Sequence, residues 1–471
     1  MTVSETMNIG SHGANTVPQA NSSIYARIRS IAALSLALLG AATAARSQES
    51  TGQKEERTTG LPHKGDWTFN FDAGAGAFGF DHSLYTDPKP DPSGNLSDNW
   101  FESYVKPAVS ADFPLQGGGA FFGKLSAVAE RTFSAPPTLV GESASSLLAE
   151  DVYVGWRSGT SMKLGEDAFQ ITLGRAPYKI GHGFLISDGA ADGGSRGGYW
   201  SGPRKAWEYA GIGRFNTKGN TVEVFYLDRD ELHDGDTGTK LAGANYELAI
   251  GENNTLGVSY IKAKSDTLHL RDGMDVYDAR AFVAPLRVLP NLSFELEYAQ
   301  EENGDALSAA AWTAQIAYTM SNVGWTPQIS YRYAVFEGDD PNTPKNEAFD
   351  SLFPGFYDWG TWWQGEIVGE YFLSNSNLAS QQVRVHVKPT ESVGAGLIAY
   401  DFRLDQPATF AQGVTSDDIG SEIDGYVDWK LNKNFTASVV LGYAEPRKAI
   451  EQAFGRTDAF TYGMFYLAYA Y

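Results

Sequence analysis

The chain has 471 residues, a formal charge of −21, no cysteine, 51 glycines and 13% aromatic residues. That charge argues against a nucleic-acid partner, which needs a basic surface, and the missing cysteine excludes disulfides and thiolate chemistry. A mean hydropathy of −0.30 suits a soluble protein, but a membrane barrel averages the same, because only alternate residues of its strands meet lipid.

In chain order, residues 1–45 read as a signal peptide. Arg27 and Arg29 precede the apolar core Ile31–Leu39, and the small residues of Gly40-Ala41-Ala42-Thr43-Ala44 suit cleavage near Ala44 or Ala45. The apolar core is too short for a membrane anchor. Residues 46–65 are polar and read as a disordered periplasmic lead.

From Asp66 to Tyr471 the sequence is strand after strand. Trp67, Phe69 and Phe71 open the first, and Phe101, Val105 and Val109 mark the second, where Pro107 needs a bulge or an edge. Val152, Val154 and Trp156 alternate with Tyr153 and Arg157. Phe294, Leu296 and Tyr298 alternate with Glu295 and Glu297. Ile329, Tyr331 and Tyr333 alternate with Arg332, and Val383, Val385 and Val387 with Arg384, His386 and Lys388. A period of two with one apolar face fits a soluble sandwich or a porin equally well. The closing stretch FTYGMFYLAYAY, ending on the aromatic Tyr471, favours the porin, since a soluble edge strand ending in bare aromatics invites aggregation.

Loop lengths point the same way. Tight turns at 216–219, 251–254, 321–324, 389–391 and 432–434 alternate with long links at 81–98, 134–146, 176–205, 229–239, 337–376, 405–419 and 445–459. Bacterial barrels place short turns in the periplasm and long loops outside, and have even strand numbers. Nineteen plausible strands can be counted, and removing Trp362–Phe372 from the wall restores the alternation. The expectation is an all-β transmembrane antiparallel barrel of about 18 strands, with long extracellular loops and 337–376 folded partly into the lumen.

Three groups of residues could carry function. Leu173–Tyr209 holds Arg175, Lys179, His182, Arg196, Arg204 and Lys205 among glycines and aromatics, as a selectivity loop would; a solvated surface loop would look the same. Asp188 and Asp192 fit turn chemistry better than a calcium loop. Glu366 and Glu370, four apart, could be a glycosidase pair, a lumenal charge network or plain structure. If the bulky faces meet lipid, the lumen receives Arg157, Arg214, Arg280, Arg332, Arg384, Lys388 and Arg403, together with acids that include Asp401. No metal spacing, nucleophile elbow or phosphate loop is present, so no cofactor is expected.

The runs GRAPYKIGHGFLISDGAADGGSRGGYWSGPRKAWE, DWGTWWQGEIVGEYFLSNSNL, LIAYDFRLDQ and YGMFYLAYAY resemble the outer-membrane alginate-export porin family. The resemblance implies a monomeric eighteen-stranded barrel in outer-membrane lipid that passes a linear uronic-acid polymer, with loops gating the pore and periplasmic secretion partners behind it. It also implies a constriction lined by arginines, for which Arg157, Arg175, Arg196, Arg204, Arg332, Arg384 and Arg403 are the candidates. The acidic balance departs from that picture and leaves open another exopolysaccharide or a smaller anionic solute. A general small-solute or sugar porin, a β-rich polysaccharide hydrolase and an adhesive barrel are the competing readings.

Overall fold

The computed structural model describes residues 65–82, 98–134, 143–251, 253–283, 289–359, 361–362, 364–369 and 375–471. The signal peptide expected at 1–45 lies outside these residues, as does the lead as far as 64. The first strands are β1 (Asp66–Asp81), β2 (Asp98–Pro114), β3 (Ala120–Phe133), β4 (Ser145–Arg157), β5 (Phe169–Arg175) and β6 (Tyr209–Thr217). There follow β7 (Asn220–Asp228), β8 (Lys240–Ile250), β9 (Asn254–Lys264), β10 (Asp275–Val283), β11 (Leu292–Asn303) and β12 (Leu307–Thr319). The last are β13 (Gln328–Phe336), β14 (Leu378–Thr390), β15 (Val393–Arg403), β16 (Asp418–Lys430), β17 (Phe435–Pro446) and β18 (Phe460–Ala470).

Each strand pairs with its sequence neighbours in one 18-stranded antiparallel sheet. β18 closes on β1 in a register running from Asp72↔Ala470 to Asp81↔Thr461. Closure removes the sheet edge, the only way strands can cross a membrane without orphaned backbone groups. Pro107 is tolerated because the β2–β3 register lapses between Val105↔Ala129 and Ala108↔Ser126, so its missing N–H costs no ladder bond there.

The alternation resolves into two faces. On β9, Leu256, Val258 and Tyr260 are exposed on the outer wall while Ser259 and Ile261 are buried. Tyr226, Tyr260, Tyr277, Tyr298 and Tyr443 ring the outer wall near the long-loop end, and Trp67, Phe113, Phe121, Phe215, Phe435 and Tyr471 ring it near the short-turn end. Between them lie Val224, Val258, Leu296, Val383, Leu397 and Leu441, all exposed. An apolar band between two aromatic girdles is the outer surface of a barrel that sits in lipid.

The strand count agrees with the sequence, and the described residues of 362–372 lie outside the wall. Gly365–Gly369 is a single π-helical turn between β13 and β14, not a strand. Loop lengths agree less well. At the short-turn end, β4 and β5 are joined by a long link, 158–168. At the long-loop end, β11 and β12 are joined only by 304–306.

Candidate functional site

Two long connections leave the wall and pack together inside the barrel: 176–208 between β5 and β6, and 337–377 between β13 and β14. In the first, Gly181 and Gly183 have φ of 51° and 86°, so the chain reverses around His182. A side chain at Gly181 would also start 2.9 Å from Cδ of Arg280.

The two loops then run side by side. Ile186 and Phe353 form a parallel bridge. Gly355 N donates to the Gly183 carbonyl at 3.0 Å, Phe353 N to Leu185 O at 2.9 Å and Ser187 N to Phe353 O at 2.9 Å. Trp362 Nε1 donates to His182 O at 2.9 Å. The His182 ring lies between Phe282 of β10 and Tyr357, with centroids 3.7 and 3.6 Å away and planes within 9°. Phe184, Leu185, Ile186, Phe349, Leu352, Phe353 and Trp362 are buried among wall residues such as Phe336. The loops therefore form a diaphragm whose apolar core is continuous with the inner wall.

Carboxylates on the inner wall hold the diaphragm by its backbone. Glu102 on β2 accepts from Trp200 N at 3.0 Å and from Ser201 N and Oγ at 2.9 Å. Glu150 on β4 accepts from Lys205 N at 2.6 Å and Ala206 N at 2.9 Å. Glu301 on β11 takes Asp350 N at 2.8 Å. Glu422 on β16 takes Ile367 N at 2.8 Å and Val368 N at 2.9 Å, and Asp424 takes Glu366 N at 3.2 Å. Backbone inside a barrel needs such acceptors, because buried N–H groups are costly when unpaired. This accounts for much of the lumenal acidity that the sequence leaves unexplained.

The arginines expected to line the path divide into three groups. Arg175, Arg196 and Arg204 converge on Asp230, just past β7, and Arg204 is only 1% exposed. Burial alone would raise the Asp230 carboxyl, but these three guanidiniums hold it below its ordinary value. The cluster fastens the 176–208 loop to the barrel.

A second group is turned inward and paired. Arg157 meets Asp112 at 2.6 Å at the short-turn end, and Arg214 meets Glu223 at 2.7 Å. Arg280 is buried against Asp278 and reaches Glu247 at 2.8 Å. Arg332 lies 5.5 Å from the Trp362 ring, and Arg384 binds Asp358 of the inner loop. Lys205 reaches Asp188 at 3.2 Å, and Lys179 Nζ donates to Phe356 O at 3.4 Å. Partial burial draws the Lys179 ammonium below the ordinary lysine value.

Arg403 is the exception. Ile398, Tyr400 and Phe402 are the buried, inward residues of β15, so Asp401 and Arg403 share the outer face with Leu397. There Arg403 joins Asp417 at 3.1 Å, and Arg447 joins Asp401 at 2.8 Å. The lumenal placement read from the sequence is wrong for both residues, because the bulky residues Ile398, Tyr400 and Phe402 of this strand face inward here, not toward lipid.

Glu366 is buried against Asp424. Burial and then the Asp424 charge push its carboxyl up to about 8. Glu370 lies outside the described residues.

Sequence reasoning missed several residues. Arg229 and Arg271 lie 4.1 and 5.1 Å from the Phe353 ring, and Arg271 grips Asp350 at 2.6 and 2.7 Å. Lys106 and Lys124 face Asp151 inside the barrel at 3.3 and 3.0 Å. The two lysines lie at inward-parity positions in readable strands and could have been found; the partners of Arg229 and Arg271 come from a loop.

Beneath the diaphragm, toward the short-turn end, the lumen opens into a vestibule of about 370 Å³. Lys179, His182, Arg214, Glu223, Glu247 and Phe282 line it together with small polar residues. A second space of about 300 Å³ shares Asn216, Thr221, Glu247 and Thr255 with it and reaches the turn at Lys218-Gly219. The vestibule is mostly polar, carries both signs of charge and has the Phe282 ring in its lining.

A closed barrel with a lipid-facing belt, a polar lumen and infolded loops defines an outer-membrane porin. The model of the family described as "Alginate export" matches residues 143–462. That is more than half of the chain, which belongs to this family. Among solved structures the chain is similar to three Pseudomonas aeruginosa proteins. OccK7 (OpdD) matches with a TM-score of 0.55 and 12% identity over 86% of this chain and 99% of that one. OccK8 (OprE) matches with a TM-score of 0.55 and 11% identity, and OpdQ with 0.55 and 12%, each over 86% of this chain and 98% of that one. At such identities the likeness is one of fold alone. No curated protein matches the chain.

Proposed function

We propose that this porin is a passive, non-catalytic channel for anionic saccharides, a uronate-bearing chain of the alginate type above all. The short-turn end then faces the periplasm and the long-loop end the exterior, as in other bacterial barrels. The observation that carries the reading is the vestibule. Lys179, His182 and Arg214 face one polar space directly beneath the diaphragm. Cations there replace the counterions of a carboxylate, while Glu223 and Glu247 keep each contact weak enough for release. The Phe282 ring offers an apolar surface to a sugar. Family membership supports the same substrate class. Energy for net export comes from outside the barrel, from polymer synthesis or from periplasmic secretion partners, and the barrel works as a monomer.

The second reading, a general small-solute porin, is favoured by the internal pairing of most lumenal arginines. One experiment separates the two. The refolded protein is placed in a planar bilayer, and single-channel current is recorded with and without polyuronate. Anion-selective current that polyuronate blocks, with the block weakened about tenfold in Lys179→Ala through loss of one charge-assisted contact, supports the proposal. Cation-selective current indifferent to polyuronate leaves the general porin. Release of new reducing ends during the block would make the protein a hydrolase.

A further inference from the structure

The outer wall carries a basic cluster that the channel reading does not use. On β8 and β9, Leu241, Ile261 and Ala263 are buried toward the interior. Lys240, Lys262 and Lys264 therefore face outward. Lys240 and Lys264 are direct cross-strand partners, and Lys262 pairs with Ala242 one step below. Like charges directly opposite each other destabilise a strand pair, and here they stand in a chain of net charge −21.

Lys240 and Lys262 each have one carboxylate neighbour. Asp228 on β7 lies 3.5 Å from Lys240. Asp275 on β10 lies 2.9 Å from Lys262, whose Nζ also donates to the Gly273 carbonyl at 2.7 Å, and Tyr260 donates to Asp275 at 2.7 Å. Lys264 is exposed.

Depth in the membrane is fixed by the tyrosines. Tyr260 and Tyr277 are cross-strand partners in the girdle, and Lys262 and Lys264 follow Tyr260 at the next two outward positions of β9 toward the long-loop end. Such a girdle marks the interface, so the three ammonium groups lie at headgroup level. Below them the outer face continues through Ala242 and Ala244 on β8 and Val258 on β9, with Val258 exposed. A small-residue strip bordered by Val258 and Tyr260 is an apolar bed for acyl chains.

We infer that this patch on β8–β9 binds the phosphate group of a lipid headgroup, with the lipid's acyl chains lying along the wall beneath it. A phosphate set between Lys240 and Lys264 removes the like-charge conflict, and Lys262 supplies a third cation. The sidedness in the proposed function places this rim in the outer leaflet, where the ligand is a phosphorylated glycolipid. Binding itself does not depend on what the pore carries.

The test uses the full barrel in neutral detergent, with lipid A titrated in and bound lipid counted by native mass spectrometry. The comparison is with the triple variant Lys240→Gln, Lys262→Gln, Lys264→Gln and with a Lys→Arg triple. Each lysine at a membrane surface contributes modestly, so affinity should fall about ten- to a hundredfold in the Gln triple and hold in the Arg triple. Heat-modifiable gel migration confirms that each variant is folded. If any of them does not fold, Lys264→Gln alone is used, with a several-fold loss expected. Inorganic phosphate is added in parallel. If it displaces lipid A at equal concentration, the site takes free phosphate and the lipid assignment is overturned. Equal lipid A binding by wild type and the folded Gln variant overturns the site altogether.

Discussion

Asp230→Asn probes how the 176–208 loop is fastened to the barrel. In the native barrel one carboxylate receives Arg175, Arg196 and Arg204, the last with 1% exposure. Removing one partner of a buried ion pair costs about 3–5 kcal/mol, since the remaining charge stays buried and unpaired. Glu150 and Asp192, both 3.8 Å from Arg204, recover part of this, so the expected loss is near the lower end, about 3 kcal/mol. The loss falls on loop docking, not on the sheet, because no strand ladder passes through Asp230. Hydrogen exchange at 189–208 should therefore accelerate by about a hundredfold, from RT ln K, while strand amides stay protected. The same change adds one positive charge to the lumen. At roughly 10 Å in a water-like dielectric a unit charge shifts an ion's energy by about 0.4 kcal/mol, near twofold. Anions gain and cations lose, so the permeability ratio from reversal potentials should rise about fourfold. Asp230→Glu should restore most of both effects. Unchanged exchange at 189–208 in a folded Asp230→Asn barrel would refute the anchoring role.

Glu366→Gln tests the buried acid of the other loop. The folded carboxyl is pushed up to about 8, above the ordinary value of about 4.3. A raised acid favours the folded state most below its unfolded pKa, so stability declines as pH rises from about 4 to 8 and is lowest above that. Open-channel noise should grow between pH 7 and 9 in the wild type and grow less in Glu366→Gln, where Glu422 and Asp424 still hold the loop's backbone. Asp230 has the opposite sign: its carboxyl is held low, so its contribution is present above about pH 4 and is lost only on acidification through the folded value. Tyr357→Ala removes one face of the His182 stack, worth about 0.5–1.5 kcal/mol beyond area, and should raise unitary conductance or its flicker in bilayer recordings; an unchanged trace would mean that the stack does not narrow the path. On the outer wall, Leu397→Arg should cost about 2–4 kcal/mol in lipid-reconstituted unfolding titrations if its site lies near the midplane, whereas Arg403→Leu at the rim should change little.

Sequence by itself determined the barrel. A strand's side-chain period of two is local, so Val383, Val385 and Val387 against Arg384, His386 and Lys388 could be read without any partner. Loop lengths then set the strand number, and the even-number constraint removed 362–372 from the wall. Local patterns failed where a side chain's partner is distant along the chain. Arg175 at the end of β5 and Arg196 and Arg204 of the loop that follows read as a selectivity filter, yet their partner Asp230 lies beyond two further strands. Arg403 was placed inside because parity alone does not say which face of β15 is inner; the buried Tyr400 and Phe402 settle it. The diaphragm, the wall carboxylates that hold its backbone and the vestibule under Lys179 and His182 exist only after closure, because barrel closure brings loops from opposite parts of the chain within hydrogen-bonding distance. Tertiary structure therefore decided which charges are anchors and which face the passage.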